Sequence, residues 1–551
     1  MHRRPNRVVL LAVVITIVGL GGALYSQSTP ARTRPRLLVL LVVDQMRHDY
    51  LERFRGTWTG GLHRLLAEGA VFSNAAYPYF HTWTCPGHAT ISTGTFPEVH
   101  GIIQNAWWDR ELRRNVTCTE DPKVPLVSYG TPLKTGASSW HLQAATLSDE
   151  LRARSPRSKV VALSLKETSA VMLTGRQADM STWFHDGGNV WATSSAYAKR
   201  PLPFVAAFLQ KNPIERRLSD SWTKRLEESL YFGQDDGIGE KPPPGWSARF
   251  PHPYDDGSHA TDNAFYERWQ ESPASDAYIE ELSEVAIDSL MLGRGSATDY
   301  LALSLSTLDL VGHDFGPESH EVQDVLSSLD VTIGRLFTFL DDRLGRGEYV
   351  VALSADHGVA PIPEQATKAG LDAGRISTAT ISQSVEKALE PVLGPGPHVG
   401  RVIATDVYFE PQRSAAILGN AAAMKTIRDA LLAVPGLQHV FSRAEISRPG
   451  DDPLLQAIKL SYVPGRSGDI VVAPKSGWVF STAGGVPAVN HGTAHPYDRR
   501  VPVILMGKHI ERGTYPQAAS PADIAPTLAF LAGITMDRAQ GRVLKEAVTA
   551  R

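Results

Sequence analysis

Arg36-Leu-Leu-Val-Leu-Leu-Val-Val-Asp44 sets an unbroken apolar run between an arginine and an aspartate. The run shows no alternation of apolar and polar positions, so it reads as a strand buried on both faces. Four more runs share its form: Lys159-VVALSL-Lys166, Tyr300-LALSLSTL-Asp309, Tyr349-VVALSA-Asp356 and Val501-PVILMG-Lys508. Helical patterns lie between them, at Ala145–Arg154 before the run at 159 and at Val322–Leu344 before the run at 349. Strands that alternate with helices predict an α/β fold, a mostly parallel central sheet with helices on both faces. Ligands of such sheets bind at the carboxyl ends of the strands. Asp44, Lys166, Asp309 and Asp356 all stand at such ends, so they are expected to share one crevice.

Two stretches break the rhythm. Residues 232–262 are rich in Pro, Gly, Asp and His and read as a long surface excursion. Residues 365–475 have helical and strand patterns of their own, broken at Pro391 and at Gly394-Pro-Gly-Pro397, and are expected to form an inserted cap domain. The main domain is then 32–364 together with 476–551. Residues 1–31 differ from both. Arg3, Arg4 and Arg7 precede an uncharged, mostly apolar run from Val8 to Leu24, followed by Ser26-Gln-Ser-Thr-Pro30. This is an export signal, either cleaved after Ser28 or retained as an N-terminal membrane anchor. In both cases the folded body is expected in the periplasm or elsewhere outside the cytoplasm.

Composition narrows the function classes. The 551 residues carry 55 basic and 58 acidic side chains, a net charge of −3, which argues against a nucleic-acid scaffold. Two cysteines exclude a disulfide scaffold and a thiolate zinc cluster. Cys85 and Cys118 either pair or stay apart as small apolar residues. With 18 histidines, a metal site is expected to use imidazole and carboxylate.

The chemistry centres on Phe80-His-Thr-Trp-Thr-Cys-Pro-Gly-His-Ala-Thr90. Pro86 suits the first turn of a helix, where a missing N–H costs nothing. Thr84 then stands at a helix N-terminus, among free N–H groups that favour an anion such as phosphate. Most threonines before such a proline are simple caps. The acidic and imidazole residues elsewhere give this one a further role, as nucleophile. Asp309 and His313 are four residues apart and can meet one ion from a single turn. Asp356-His357-Gly358 ends a buried run, His491 precedes the last one, and Asp44 ends the first. Three carboxylates and three imidazoles make two sites of zinc type, each with room for a substrate oxygen.

With these residues assembled, the sequence resembles the alkaline phosphatase superfamily. It is most similar to the periplasmic branch that uses a threonine nucleophile, related to nucleotide pyrophosphatase/phosphodiesterases. The matching stretches are Val42–Tyr50, Thr84–Thr90, Gly101–Trp107, Ser164–Lys166, Leu308–Gly316, Ser354–Gly358, His491–Asp498 and Asp523–Thr527, in the family's order. The resemblance implies two Zn2+ ions. Asp309, His313 and His491 would hold one. Asp44, Asp356 and His357 would hold the other, with Thr84 as nucleophile and further ligand. Asn105 and Lys166 would contact the phosphoryl oxygens that are not transferred. His88 is expected to pack or cap locally, and His495 to lie outside the ligand set. The implied activity is zinc-dependent hydrolysis of small phosphate monoesters through a phosphothreonine.

One position departs from the family. An Arg is expected two residues after Lys166, and Thr168 stands there. A guanidinium is a fixed fork for a dianionic phosphate, and a hydroxyl is not. Arg176 is the nearby cation that could replace it. The departure keeps a phosphodiesterase or nucleotide pyrophosphatase as the alternative activity. A sulfatase does not fit, because threonine cannot become formylglycine. An inactive metal-binding surface protein would be expected to lack a ligand or the nucleophile, and none is missing.

Overall fold

In the computed structural model, Leu37–Val43 is a fully buried strand near the middle of an eleven-stranded sheet. The structure describes residues 1–2, 33–481 and 487–549. The export reading of residues 1–31 rests on a segment outside the described residues. No described helix is long and apolar enough to cross a membrane.

The strands Tyr349–Ser354, Leu37–Val43, Asp299–Leu305, Val160–Ser164 and Met180–His185 lie side by side in that order, and all are parallel. Their ends are level. Val42 is opposite Ser304 on one side and Ser354 on the other, and Ser304 is opposite Ser164. The flanks of the sheet are mixed. The run at 501–508 gives the strand Val503–Gly507, which is antiparallel to both its neighbours. A run buried on both faces reads the same in either direction, so its sense is a product of the connections.

Alternate side chains of a strand go to opposite faces. Leu37, Val39, Leu41 and Val43 enter one core with the helices Pro273–Leu290 and His320–Leu344. Leu38, Leu40 and Val42 enter the other with Leu147–Arg154 and Ile524–Leu531. Each such side chain contributes roughly 1.5–3 kcal/mol on burial. Leu147–Arg154 starts at a capping box. Thr146 Oγ1 accepts from the Asp149 N–H and Asp149 Oδ2 from the Thr146 N–H, both at 3.1 Å.

The 232–262 excursion runs over the surface, mostly exposed as expected, and is anchored to the body at a few buried side chains. Its Trp246 and Tyr254 join the first core, and its buried His252 places Nε2 2.9 Å from Glu321 Oε1 at the start of His320–Leu344. The aromatic residues among its prolines supply the apolar area that the polar composition conceals.

Within the stretch read as a cap, Val399–Ile403, Asp406–Phe409, Ile470–Pro474 and Leu437–Ser442 form an antiparallel four-stranded sheet. Ile381 and Val385 of helix Thr378–Leu393 and Ile427 and Leu431 of helix Ala421–Leu432 pack with its Phe409 and Val472 in a core of their own. Ser461 Oγ accepts from the N–H groups of Phe80 and His81, both at 3.0 Å. Gln104 Nε2 donates to Asp406 Oδ2 at 2.8 Å. The backbone just ahead of Thr84 is therefore held by residues of this stretch.

Candidate active site

Thr84 is the first residue of the helix Thr84–Thr93, and the extended Trp83 is its N-cap. No side chain of the helix caps that end. Asn105 does so from outside: its Oδ1 accepts from the Cys85 N–H at 2.8 Å. The Asn105 carbonyl accepts from the Cys118 N–H at 2.9 Å, and Cys85 and Cys118 are joined by a disulfide. Asn105 is thus fixed beside Thr84 from two directions. Gly87 lets the helix press on the end of Tyr349–Ser354, since a Cβ there would come 2.3 Å from the Asp356 carbonyl oxygen.

Around Thr84 the structure brings together two groups of ligand atoms, each within 4.8 Å: Asp309, His313 and His491, and Asp44, Asp356 and His357. In the first, His313 Nε2 is 3.3 Å and His491 Nε2 4.0 Å from Asp309 Oδ1. In the second, His357 Nε2 is 3.5 Å from Asp44 Oδ1 and 3.3 Å from Asp356 Oδ2. The rings of His357 and His491 stack at 3.5 Å, which joins the groups. Thr84 Oγ1 is 3.4 Å from His357 Nε2. Asp44 ends its strand, whereas Asp309 lies in the first turn of the helix Thr307–Phe315, one turn before His313.

The three imidazoles share one orientation. Nδ1 of His313, His357 and His491 is 2.9 Å from the carbonyl oxygens of Val489, Gly358 and Thr82 respectively. An Nδ1–H held this way leaves each Nε2 as a lone pair facing the cluster, which is the ligating tautomer. Asp44 Oδ1 and Asp356 Oδ2 are buried and receive no hydrogen bond. Burial, with Asp309 and Asp356 nearby, pushes the Asp44 carboxyl well above its usual range. Burial acts likewise on Asp309, but the Lys166 ammonium and His313 hold that carboxyl well below it. Lys166 Nζ lies 2.6 Å from Asp44 Oδ2 and also contacts Asp309, so one cation spans the groups. Crowded, orphaned carboxylate oxygens beside imidazoles that turn Nε2 toward them fit divalent cations.

The sequence profile of type I phosphodiesterases/nucleotide pyrophosphatases matches residues 38–498. The chain belongs to that family, in the alkaline phosphatase superfamily. Alkaline phosphatase PafA of Elizabethkingia meningoseptica is 30% identical over 94% of this chain and 95% of its own. Alkaline phosphatase PhoV of Synechococcus elongatus is 31% identical over 90% of each. A crystal structure of PafA superposes with a TM-score of 0.85 at 29% identity, covering 94% of this chain and 99% of that one. The protein is a phosphoric ester hydrolase of alkaline phosphatase type.

Two residues of this alkaline phosphatase-type site were not singled out as part of it in the sequence. Gln45 donates from its N–H to Asp356 Oδ1 at 3.1 Å and from Nε2 to Asp309 Oδ1 at 2.6 Å, so it braces one carboxylate of each group. Its φ is +68°, and Gly312 makes room for it: a Cβ there would lie 1.9 Å from Gln45 Oε1. The only signal was its place next to Asp44. His88 does bond locally, with Nδ1 2.9 Å from the Thr84 carbonyl oxygen. The same nitrogen is also 3.2 Å from Asp356 Oδ2, and Nε2 is 2.8 Å from Ser304 Oγ. His495 is the N-cap of Pro496–Arg499 and bonds the Pro474 carbonyl through Nε2 at 3.0 Å.

Lys166 is the N-cap of the helix Glu167–Thr174, so Thr168 is the second residue of a helix and not part of a strand end. Arg176 does not take the place of the expected arginine. It is exposed beyond the far end of that helix, about 12 Å away along the axis, with Nη1 3.5 Å from Asp149 Oδ2.

Proposed function

We propose that this hydrolase cleaves phosphate monoesters outside the cytoplasm, through a phosphothreonine at Thr84 and with two zinc ions. The observation that carries the reading is the position of Thr84 Oγ1, 3.4 Å from His357 Nε2, at a helix start flanked by two three-residue ligand groups. The names of the relatives, alkaline phosphatases PafA and PhoV, support it. Asp309, His313 and His491 would hold one ion, and Asp44, Asp356 and His357, with Thr84, the other. When bound, the ions lower the pKa of the threonine hydroxyl and offset charge on the leaving oxygen.

The chain's own groups do the rest. Asn105 Oδ1 is occupied by the Cys85 N–H, which leaves Nδ2 to donate to a phosphoryl oxygen. Lys166 Nζ supplies a positive charge beside the same oxygens. The Thr84 Oγ–P bond forms as the ester P–O bond breaks and the alcohol departs. Water then cleaves the threonine phosphate and restores the hydroxyl. Residues 1–31 serve export, and 365–475 act as a cap seated on Phe80 and His81. Initial rates on an aryl phosphate monoester and an aryl phosphate diester, with purified protein, test the reading. The monoester is expected to be the faster substrate. A preference for the diester overturns the reading in favour of a phosphodiesterase.

A further inference from the structure

The amino ends of the central strands, away from Thr84, gather charge of one sign. Arg34 stands just ahead of Leu37–Val43, Ser296-Ala-Thr298 runs directly into Asp299–Leu305, and Arg157 stands just ahead of Val160–Ser164. The three strands are neighbours in register, with Leu37 opposite Asp299 and Tyr300 opposite Val160. Where their amino ends meet lies a cavity of about 420 Å3. Arg34, Arg154 and Arg157 line it together with Ser155, Ser296 and Thr535, and no lining residue is acidic. Among the described residues, none of these three guanidinium groups has an ion-pair or hydrogen-bond partner. The arginines around them differ: Arg36 pairs with Glu348 at 3.4 Å, Arg152 with Asp179 at 2.6 Å and Arg294 with Asp288 at 3.3 Å. Gly533 makes room for one of the unpaired groups, since a Cβ there would lie 2.8 Å from Arg34 Nε.

The helices Leu147–Arg154 and Ile524–Leu531 both end at this cavity, through Arg154 and Ala532. Each helix end supplies roughly half a negative charge, so most of the charge of three guanidinium groups stays unbalanced. Guanidinium forks flanked by hydroxyls suit the oxygens of a phosphate group. The cavity has the volume of a small-molecule site and takes a phosphate with a glycerol attached. Its place in the chain says where such a phosphate comes from. Arg34 follows the leader at residues 1–31, and nine residues, 25–33, separate it from the apolar run that ends at Leu24. With that run retained in a membrane, the cavity is tethered within about 30 Å of the bilayer. The ligand groups around Thr84 lie at the other end of the same strands, about 23 Å away along Leu37–Val43. A body seated on the membrane by this cavity keeps its crevice open to soluble substrates.

We infer that this cavity binds the phosphate of an anionic phospholipid and docks the enzyme on a membrane with its active crevice turned away. The choice of lipid over free phosphate rests on the export reading of residues 1–31. Hydrogen–deuterium exchange of the full chain, mixed with vesicles of phosphatidylcholine alone or of equal parts phosphatidylcholine and phosphatidylglycerol, tests it. Insertion of the leader is common to both vesicles, so the comparison isolates the headgroup charge. Exchange of the amides of 151–158 and 532–535 is expected to slow by about tenfold on the anionic vesicles relative to the neutral ones. The Arg34→Ser/Arg157→Ser variant should lose this difference and keep its turnover of an aryl phosphate, since both side chains are exposed and far from the crevice. Equal exchange on the two vesicles in the wild type, or slowing that persists in the variant, overturns the inference. Equal slowing by inorganic phosphate with neutral vesicles overturns the lipid assignment in favour of a free anion. All three outcomes leave the monoesterase reading standing. Recovery of the chain from the cytoplasmic fraction of cells overturns the export reading instead.

Discussion

Thr84 stands at the first position of its helix, its side chain caps nothing, and its proposed role is that of nucleophile. Thr84→Ala should therefore lower turnover of an aryl phosphate by about a thousandfold or more while changing stability by less than about 1 kcal/mol. Steady-state rates and a thermal melt of the same sample check both halves. Retention of most of the activity would falsify the nucleophile assignment. Thr168 is the second residue of the helix after Lys166. Helical Cβ atoms tilt toward the N-terminus, here the crevice, so a longer side chain at 168 can reach back to the phosphate. A monoester carries two negative charges on its non-bridging oxygens and a diester one. Thr168→Arg should raise the monoester-to-diester ratio of kcat/KM by about tenfold. An unchanged ratio means that the introduced guanidinium does not reach the substrate.

Among the elements, the disulfide joins the start of the helix Thr84–Thr93 to the strand hairpin that follows Asn105. Strands Ala106–Asp109 and Arg114–Thr117 pair between Asn105 and Cys118. The bridged residues are 33 apart in sequence and both fully buried. Closing a loop of that length stabilises a fold by about 3–4 kcal/mol in the chain-entropy account. Replacing both cysteines by alanine should lower the unfolding free energy by that amount in a urea titration. An unshifted midpoint would show that the bridge adds nothing beyond the packing around it. The hydrogen bond from the Cys85 N–H to Asn105 is a backbone contact, so the replacement removes the tether and keeps the partner.

Across the whole molecule, the carboxylates and imidazoles of the two groups come from the ends of the strands Leu37–Val43 and Tyr349–Ser354, from the helix Thr307–Phe315 and from a loop near the other end of the chain. Asp44, Asp309 and Asp356 repel one another once they are drawn together without cations. Metal bound only to the folded state stabilises it, by about 2.7 kcal/mol at a hundredfold excess over Kd. A chelator should therefore abolish activity and lower the melting temperature, and added zinc should restore both. A melt and a rate that do not respond to the chelator would remove the metal from the account.

The parallel centre of the sheet was legible along the chain, and so were the carboxylate and imidazole motifs that the fold gathers around Thr84. Continuous apolar runs declare strands buried on both faces, and spacings such as Asp309 to His313 or Asp356 to His357 are fixed by local geometry whatever the rest of the chain does. The helical start at Thr84 was legible for the same reason, from a proline two residues on. The sense of Val503–Gly507, the pairing of Cys85 with Cys118 and the reach of His88 to Asp356 came from the packing of remote segments. Gln45 shows why. Its two partners, Asp309 and Asp356, lie 264 and 311 residues away. Periodicity along a chain encodes which face a residue takes. Distances between remote residues are set by how sheet and helices pack, and a single sequence carries no local mark of them.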